Sequence, residues 1–358
     1  MKITEPTLIL DELKCKQNIQ RMKSKADACH LAFWPHFKTH QSKIVGQWFR
    51  DVGVQHITVS SLGMAEYFAA DGWKEITVAF PVNILQEEKI KSLAQRIELT
   101  LLVDHLEIVE KLNALGVSIN LMVEIDIGNG RTGILHSEVD AIHTLKAAIN
   151  KSDNLTFSGL YTHAGHSYSC KGTDEIEALH TIIHERLQEL KHSFSEDVFI
   201  CMGDTPTCSI GKSFPGCDAI SAGNLVFYDA MQAQIGSCDF SDIAVAVACP
   251  VVSKNEARKE ICIYGGAVHF SKDFLEINNQ RVFGFLASSH AAHTWEKMID
   301  GCYLKSISQE HGILAVTEEM YESITMGDVV MILPIHSCLT AQALGGYVTT
   351  SGQKIDHY

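Results

Sequence analysis

Eight short apolar runs alternate with helix-like segments over roughly the first 235 residues. This alternation constrains the fold more than any other feature of the chain. The runs are residues 31–37, 55–60, 75–81, 97–103, 118–126, 156–163, 198–202 and 217–221. Several are continuously apolar, the pattern of strands buried on both faces of a parallel sheet. Between them, residues 11–28, 62–70, 86–94, 137–149 and 173–190 read as helices. Thr173 offers an N-cap followed by acidic residues in the first turn. Eight strand–helix repeats predict an α/β fold, a (β/α)8 barrel over residues 11–235. A doubly wound open sheet shares the same alternation, since closure leaves no mark in a sequence.

After Ala233 the texture changes. Residues 243–253, 259–264, 312–317 and 328–333 read as strands separated by Gly, Asn and Ser turns, without long helices. A mostly β C-terminal domain is expected over residues 236–358, joined by residues 1–10. The 358 residues are enough for a barrel and a smaller domain. Lys and Arg number 29 and Asp and Glu 43, giving 29 − 43 = −14. An acidic chain without basic clusters repels phosphate backbones and anionic membranes, so neither nucleic acid nor a membrane is an expected partner. The 11 cysteines form no CxxC pair, which fits reduced thiols better than a disulfide framework. The start lacks a signal-like apolar stretch, and no run approaches bilayer-spanning length. A cytoplasmic location is the expectation.

Catalytic groups of such a barrel sit at the carboxyl ends of its strands. Lys38 follows the first run, within Trp34-Pro-His-Phe-Lys-Thr-His40. An amine there is placed to form a Schiff base when desolvation or a nearby cation makes it nucleophilic. A plain surface lysine would look the same. After the seventh run comes Gly203-Asp-Thr-Pro-Thr207, where Gly203 admits close backbone approach and Thr205 and Thr207 add hydroxyls. That is the barrel's usual phosphate position, with Gly223-Asn224 after the eighth run as a second permissive turn. By itself the first loop is only a turn. The fifth run ends in a glycine-rich loop presenting Arg131, suited to an anionic oxygen or to solvent. The sixth ends in Tyr161-Thr-His-Ala-Gly-His-Ser-Tyr168. There Tyr168 can bond a pyridine nitrogen, whereas His163 reads as a packed loop residue.

His336 and Cys338 follow the apolar run 329–333. On a strand, residues two apart share a face, so imidazole and thiolate can share one metal, and the pair suits zinc. Such a spacing also arises by chance.

Together these segments resemble the fold-type III pyridoxal-phosphate enzymes of the alanine-racemase barrel group, in the branch of eukaryotic-type D-serine dehydratase and D-threonine aldolase. The resemblance runs from Thr4-Glu-Pro-Thr-Leu8 through Pro35-His-Phe-Lys-Thr-His40, Gly128 to Gly133, Gly203 to Thr207 and Gly223 to Asp229, to Pro334-Ile-His-Ser-Cys-Leu-Thr340. It implies that Lys38 holds pyridoxal 5'-phosphate as an internal aldimine and acts as a base. It implies Gly203, Thr205, Thr207, Gly223 and Asn224 around the phosphate, Arg131 near the 3′ oxygen and Tyr168 near the ring nitrogen. His336 and Cys338 would bind zinc beside a small D-amino acid, in a homodimer. Two positions depart from the family pattern: Trp34 stands where arginine is usual, and Ser221-Ala222-Gly223 replaces Arg-Pro-Gly. Both remove a positive charge.

The aldolase branch is similar but typically has a carboxylate at the Cys338 position, which suits harder manganese or magnesium. Cys338 therefore points to a lyase that dehydrates a D-3-hydroxy amino acid such as D-serine. D-Threonine aldolase is the alternative. An amino-acid racemase and a non-catalytic pyridoxal-phosphate-binding protein are further ones.

Overall fold

The computed structural model describes residues 2–288 and 294–358. The chain forms two compact units: Gln20–Gly223 with Tyr358, and Met1–Ile19 with Asn224–His357. It passes from one to the other within the helix Glu12–Ala28 and again at Gly223.

The first unit carries a parallel barrel. Its strands are Ala32–Phe33, His56–Val59, Glu75–Pro81, Glu98–Val103, Ile119–Asp126, Leu155–His163, Ile200–Gly203 and Ala219–Ile220. From the second onward each pairs with the next in chain order, and the last pairs with the first. The circle closes between the first two strands. There Phe37 N–H donates to Thr58 O at 2.8 Å and Thr58 N–H to Pro35 O at 2.9 Å, about a His36–Thr58 bridge. The fold is thus the expected (β/α)8 barrel, not an open sheet.

One core cluster draws on successive barrel strands. Ala219, Cys201, Met122 and Leu102 flank Tyr161, with Trp34, Phe199, Ala32 and Ala79 packed on them. Trp34 lies nearly parallel to the His56 ring, 3.8 Å between centroids, and stacks on Phe199 at 4.9 Å. Burial holds the His56 pKa down at about 3, so a neutral imidazole faces the indole. The departure at residue 34 thus fills the barrel with an aromatic plate in place of a cation. Strand-to-helix turns carry their own caps: Ser42 accepts from Val45 N–H at 3.2 Å and Ser61 from Met64 N–H at 3.1 Å. The helices Lys43–Asp51 and Leu106–Asn113 complete alternations that the sequence left without one.

The second unit is a mostly β domain. Its sheet runs in the order Glu260–Tyr264, His311–Ala315, Met298–Ile307, Gly284–Ala287, Val329–Pro334, Val245–Asn255, Thr7–Leu10, Tyr347–Thr349, Lys354–Ile355. The long strand Val245–Asn255 also pairs with Glu260–Tyr264 beyond an irregularity between Val251 and Ser253. A bulge bends a strand enough to serve two partners, and here it brings the sheet round on itself. The strand Met298–Ile307 escaped the sequence reading because Asp300, Gly301 and Lys305 interrupt its apolar pattern. No helix among the described residues is long and apolar enough to cross a membrane.

Candidate active site

Lys38 stands in a tight turn between the first barrel strand and the Ser42 cap. Its N–H donates to His36 Nδ1 at 3.3 Å, and its carbonyl accepts from Gln41 Nε2 at 3.0 Å. Gln41 takes a positive φ of 46°, which turns the chain back into the next helix. The lysine lines a cavity of about 260 Å³ with His36, Arg131, Thr132, Tyr161 and His163, walled on one side by Ala79, Phe80 and Pro81.

The two imidazoles in this cavity are held neutral. Burial, then the Lys38 and Arg131 charges, lower His163 to about 3 and His36 well below its usual value. His163 Nδ1 bonds the Gly203 carbonyl, so that nitrogen carries the proton and Nε2 keeps a lone pair. His36 is the reverse: Nδ1 accepts, so Nε2–H is the donor. Lys38 and Arg131 are therefore the cavity's cations, and the site suits an anion. Beneath them Thr132 donates to buried Glu124 at 2.7 Å, which ties down the Arg131 loop. His163, read from sequence as a packed residue, is both packed and exposed to the cavity. Its place at the end of the sixth strand was the available signal. His40 is enclosed by Phe37, Phe49 and Phe68, and its Nδ1 accepts from Ser42 N–H at 3.1 Å, so it braces the turn.

The loop after the seventh strand is a preformed cradle. Asp204 accepts from Thr207 N–H at 2.7 Å and from its hydroxyl at 2.5 Å, starting the helix Thr205–Ile210. Thr205 N–H donates to Tyr168 Oη at 3.2 Å. The Thr205 hydroxyl is fully buried and meets no hydrogen-bond partner among the described residues. A Cβ on Gly203 would sit 2.9 Å from Tyr161 Oη and 3.1 Å from Ser221 O; one on Gly223 would sit 2.7 Å from His36 O. Neither position has room for a side chain. Asn224 belongs to the other unit. Its amide donates to Asp229 at 2.7 Å and Ser337 Oγ at 3.1 Å, and lies 3.6 Å from Cys338 Sγ.

His336 and Cys338 do not alternate along a strand, as the sequence suggested. The strand Val329–Pro334 ends before them, His336 is the N-cap of the helix Ser337–Leu344, and Cys338 lies in its first turn. The turn, not the pleat, brings imidazole and thiol within hydrogen-bonding reach. Asp229 holds that turn by accepting from Ser337 N–H at 3.0 Å and Ser337 Oγ at 3.2 Å. His336 Nδ1 meets Asp273 Oδ2 at 2.6 Å, a contact no local sequence signal marks. Burial alone would lower the His336 pKa, but Cys338, Asp229 and Asp273 raise it to about 10. Among the described residues, no three His, Cys, Asp or Glu side chains converge as metal ligands.

Family models match both units. The alanine racemase N-terminal domain covers residues 10–230, and a putative serine dehydratase domain covers residues 244–350. The chain belongs to the alanine racemase N-terminal domain family, the fold-type III pyridoxal-phosphate barrels, in the branch of D-serine dehydratase and D-threonine aldolase. It is 25% identical to D-threo-3-hydroxyaspartate dehydratase of Delftia sp. (strain HT23), over 97% of this chain and 94% of that one. It is 26% identical to D-serine dehydratase of Dictyostelium discoideum, over 96% and 92%. The solved structure of the Delftia enzyme superposes with a TM-score of 0.91 at 24% identity, covering 99% of this chain and 98% of that one. That enzyme has also been solved with a histidine changed to alanine and, in a metal-free form, with the cysteine two positions later changed to alanine.

The barrel residues fit the family's cofactor. Thr205 offers a buried hydroxyl with no hydrogen-bond partner among the described residues, and Lys38 and Arg131, which line one cavity, supply positive charge. The imidazole and thiol of the second unit fit a borderline-soft metal with open positions.

Proposed function

We propose that the chain is a pyridoxal-phosphate- and zinc-dependent lyase that removes water from a D-3-hydroxy amino acid, D-serine first among them, to give a 2-oxo acid and ammonia. The observation that carries the reading is the His336–Cys338 pair at one helix start, in a chain whose barrel presents Lys38 in a cationic cavity. Its spacing equals that of the histidine and cysteine altered in the Delftia enzyme, one of whose variants is metal-free.

When bound, pyridoxal phosphate supplies an electron sink for the carbanion formed at the substrate α carbon. Lys38 anchors the cofactor and removes the α proton. Thr205 would donate its hydroxyl to the phosphate, the backbone at Gly203 and Gly223 would add to its contacts, and Tyr168 and Thr207 keep the loop in shape. Arg131 would serve the anionic ring oxygen from the cavity wall. His36 donates through Nε2–H, and His163 stays neutral beside the cofactor face. His336 and Cys338 would hold a zinc ion, which when bound would supply Lewis acidity toward a β hydroxyl. Asn224 would assist Cys338, toward which its amide points. The acidic net charge and eleven cysteines outside any disulfide support a reducing cytoplasmic setting and a small amino-acid substrate. We place the enzyme there as a homodimer, to be checked by sedimentation.

Product analysis tests the reading. Pyruvate and ammonia from D-serine are expected. Glycine and acetaldehyde from D-threonine, without pyruvate from D-serine, would make the protein an aldolase. Racemised product or no turnover of either would reject the lyase.

A further inference from the structure

We propose that Asp273 is a positioning residue for a metal centre at His336 and Cys338, fixing which imidazole nitrogen is offered to the ion. The inference rests on the metal reading above and adds a residue that neither motif nor spacing marks. Its basis is geometric. Asp273 Oδ2 lies 2.6 Å from His336 Nδ1, the length of a charge-assisted hydrogen bond. An ionised carboxylate only accepts, so Nδ1 keeps its proton and Nε2 is the nitrogen left to the ion, which displaces the Nε2 proton on binding. Ring rotation is restrained at the same time, because a flip would break that bond. Metal-bound imidazoles generally have their second nitrogen held in this way, which raises donor strength.

The turn that delivers Asp273 is built for the purpose. It follows the helix Ala267–Phe270, and Ser271 takes a left-handed φ of 68° despite having a side chain. The Ser271 hydroxyl accepts from Asp273 N–H at 3.1 Å and holds the residue in place. Thr340, on the helix that carries Cys338, donates to Phe270 O at 3.5 Å, which ties the Asp273 turn to the thiol's helix. Asp273 and Cys338 therefore reach His336 from two elements that are themselves joined. The carboxylate comes from 63 positions away, so no local backbone need explains it.

The test uses cofactor-loaded, full-length protein stripped of metal by chelation. Zinc affinity is read by competition with a chromophoric chelator, and cobalt(II) substitution reports the sulfur-to-metal absorption band. Asp273→Asn still accepts the N–H but has lost the charge, and should bind zinc about 10-fold more weakly. Asp273→Ala loses both and should approach about 100-fold. Both should keep the sulfur-to-cobalt band, because Cys338 still binds, and any loss of metal-free thermal stability should be smaller than the loss of zinc affinity. Unchanged zinc affinity in both variants overturns the inference. So does loss of the cobalt band to the level of His336→Ala, which would make Asp273 a direct ligand. A loss of affinity matched by an equal loss of metal-free stability would make it a structural ion pair instead. If His336→Ala and Cys338→Ala retain zinc, the metal reading itself falls and takes this inference with it.

Discussion

The barrel and the β unit build their functional groups in opposite ways. In the barrel each group follows the strand that carries it. Lys38 follows the first, Arg131 the fifth and the Thr205 loop the seventh, and His163 ends the sixth. Strand pairing and bonds between residues close in sequence hold them, such as Lys38 N–H to His36 Nδ1 and Thr207 N–H to Asp204. In the β unit one short turn supplies imidazole and thiol, and side chains from elsewhere hold it. Asp273 is 63 positions away, Asp229 108 and Asn224 114. The first design needs only the right topology. The second needs several side chains that topology alone does not specify.

The largest expected effect tests whether the two are separable. Lys38→Ala should lower turnover by at least about 10³-fold and abolish the visible absorption of lysine-bound cofactor, while zinc content stays at the wild-type level. His336→Ala should do the converse: zinc is lost and the absorption band remains. If Lys38→Ala also sheds zinc, the two groups are one coupled site and the contrast drawn here is wrong.

Asp229→Ala probes the side-chain network. The buried carboxylate accepts from Ser337 N–H, Ser337 Oγ, Asn224 Nδ2 and Gln232 N–H. Its removal orphans several buried donors and should cost about 3 kcal/mol in denaturant unfolding. A cost below about 1 kcal/mol would mean that the turn holds itself.

That contrast explains what the sequence disclosed. All eight barrel strands were legible, because each is a compact apolar run, and Leu99 to Val103 are buried throughout. The Lys38 turn and the Thr205 loop were legible because a barrel's chemistry lies at strand ends. The short helix Leu106–Asn113 was not, having only Val109 and Leu112 buried. Nor was the geometry of His336 and Cys338. The strand argument found the correct pair for a wrong reason, since two apart on a strand and two apart across a helix N-cap look alike in sequence. Asp273 was invisible, because a lone carboxylate in a turn carries no signal until the fold brings it to an imidazole.

Acid and alkali should separate the two units next. His184 is lowered to about 4, and His56 and His163 to about 3, each chiefly by burial, and all lie in the barrel. A histidine with a depressed folded pKa contributes its full stability above the unfolded value of about 6.5. The contribution is lost as pH falls toward the folded value. At pH 5, His184 alone should have lost about 2 kcal/mol. Asp204, raised to about 6 by burial, works in the opposite direction, but it is one carboxyl against three imidazoles. His336, raised to about 10, contributes fully below about 6.5 and loses its share as pH climbs through 10. Region-resolved hydrogen exchange on metal-free protein should therefore show the barrel loosening first in acid and the His336 turn first in alkali. Loosening of both at the same end would remove the electrostatic half of the comparison.

Thr205→Val carries the smallest expected effect and separates fold from function within the barrel site. The hydroxyl is buried without a partner among the described residues, so it contributes nothing to the cofactor-free fold and leaves a polar atom undercompensated. Replacing it with a methyl of similar shape should leave unfolding of the cofactor-free protein unchanged or slightly stabilised. If the same hydroxyl donates to a phosphate, the variant loses a hydrogen bond to a charged group, worth about 1.5–3 kcal/mol, and cofactor affinity should fall roughly tenfold or more. The two measurements move apart only when the hydroxyl's partner is the ligand. Reduced stability with unchanged affinity would mean that Thr205 serves the helix Thr205–Ile210 alone, and that the barrel site, like the turn at His336, depends on side-chain bonds within the protein.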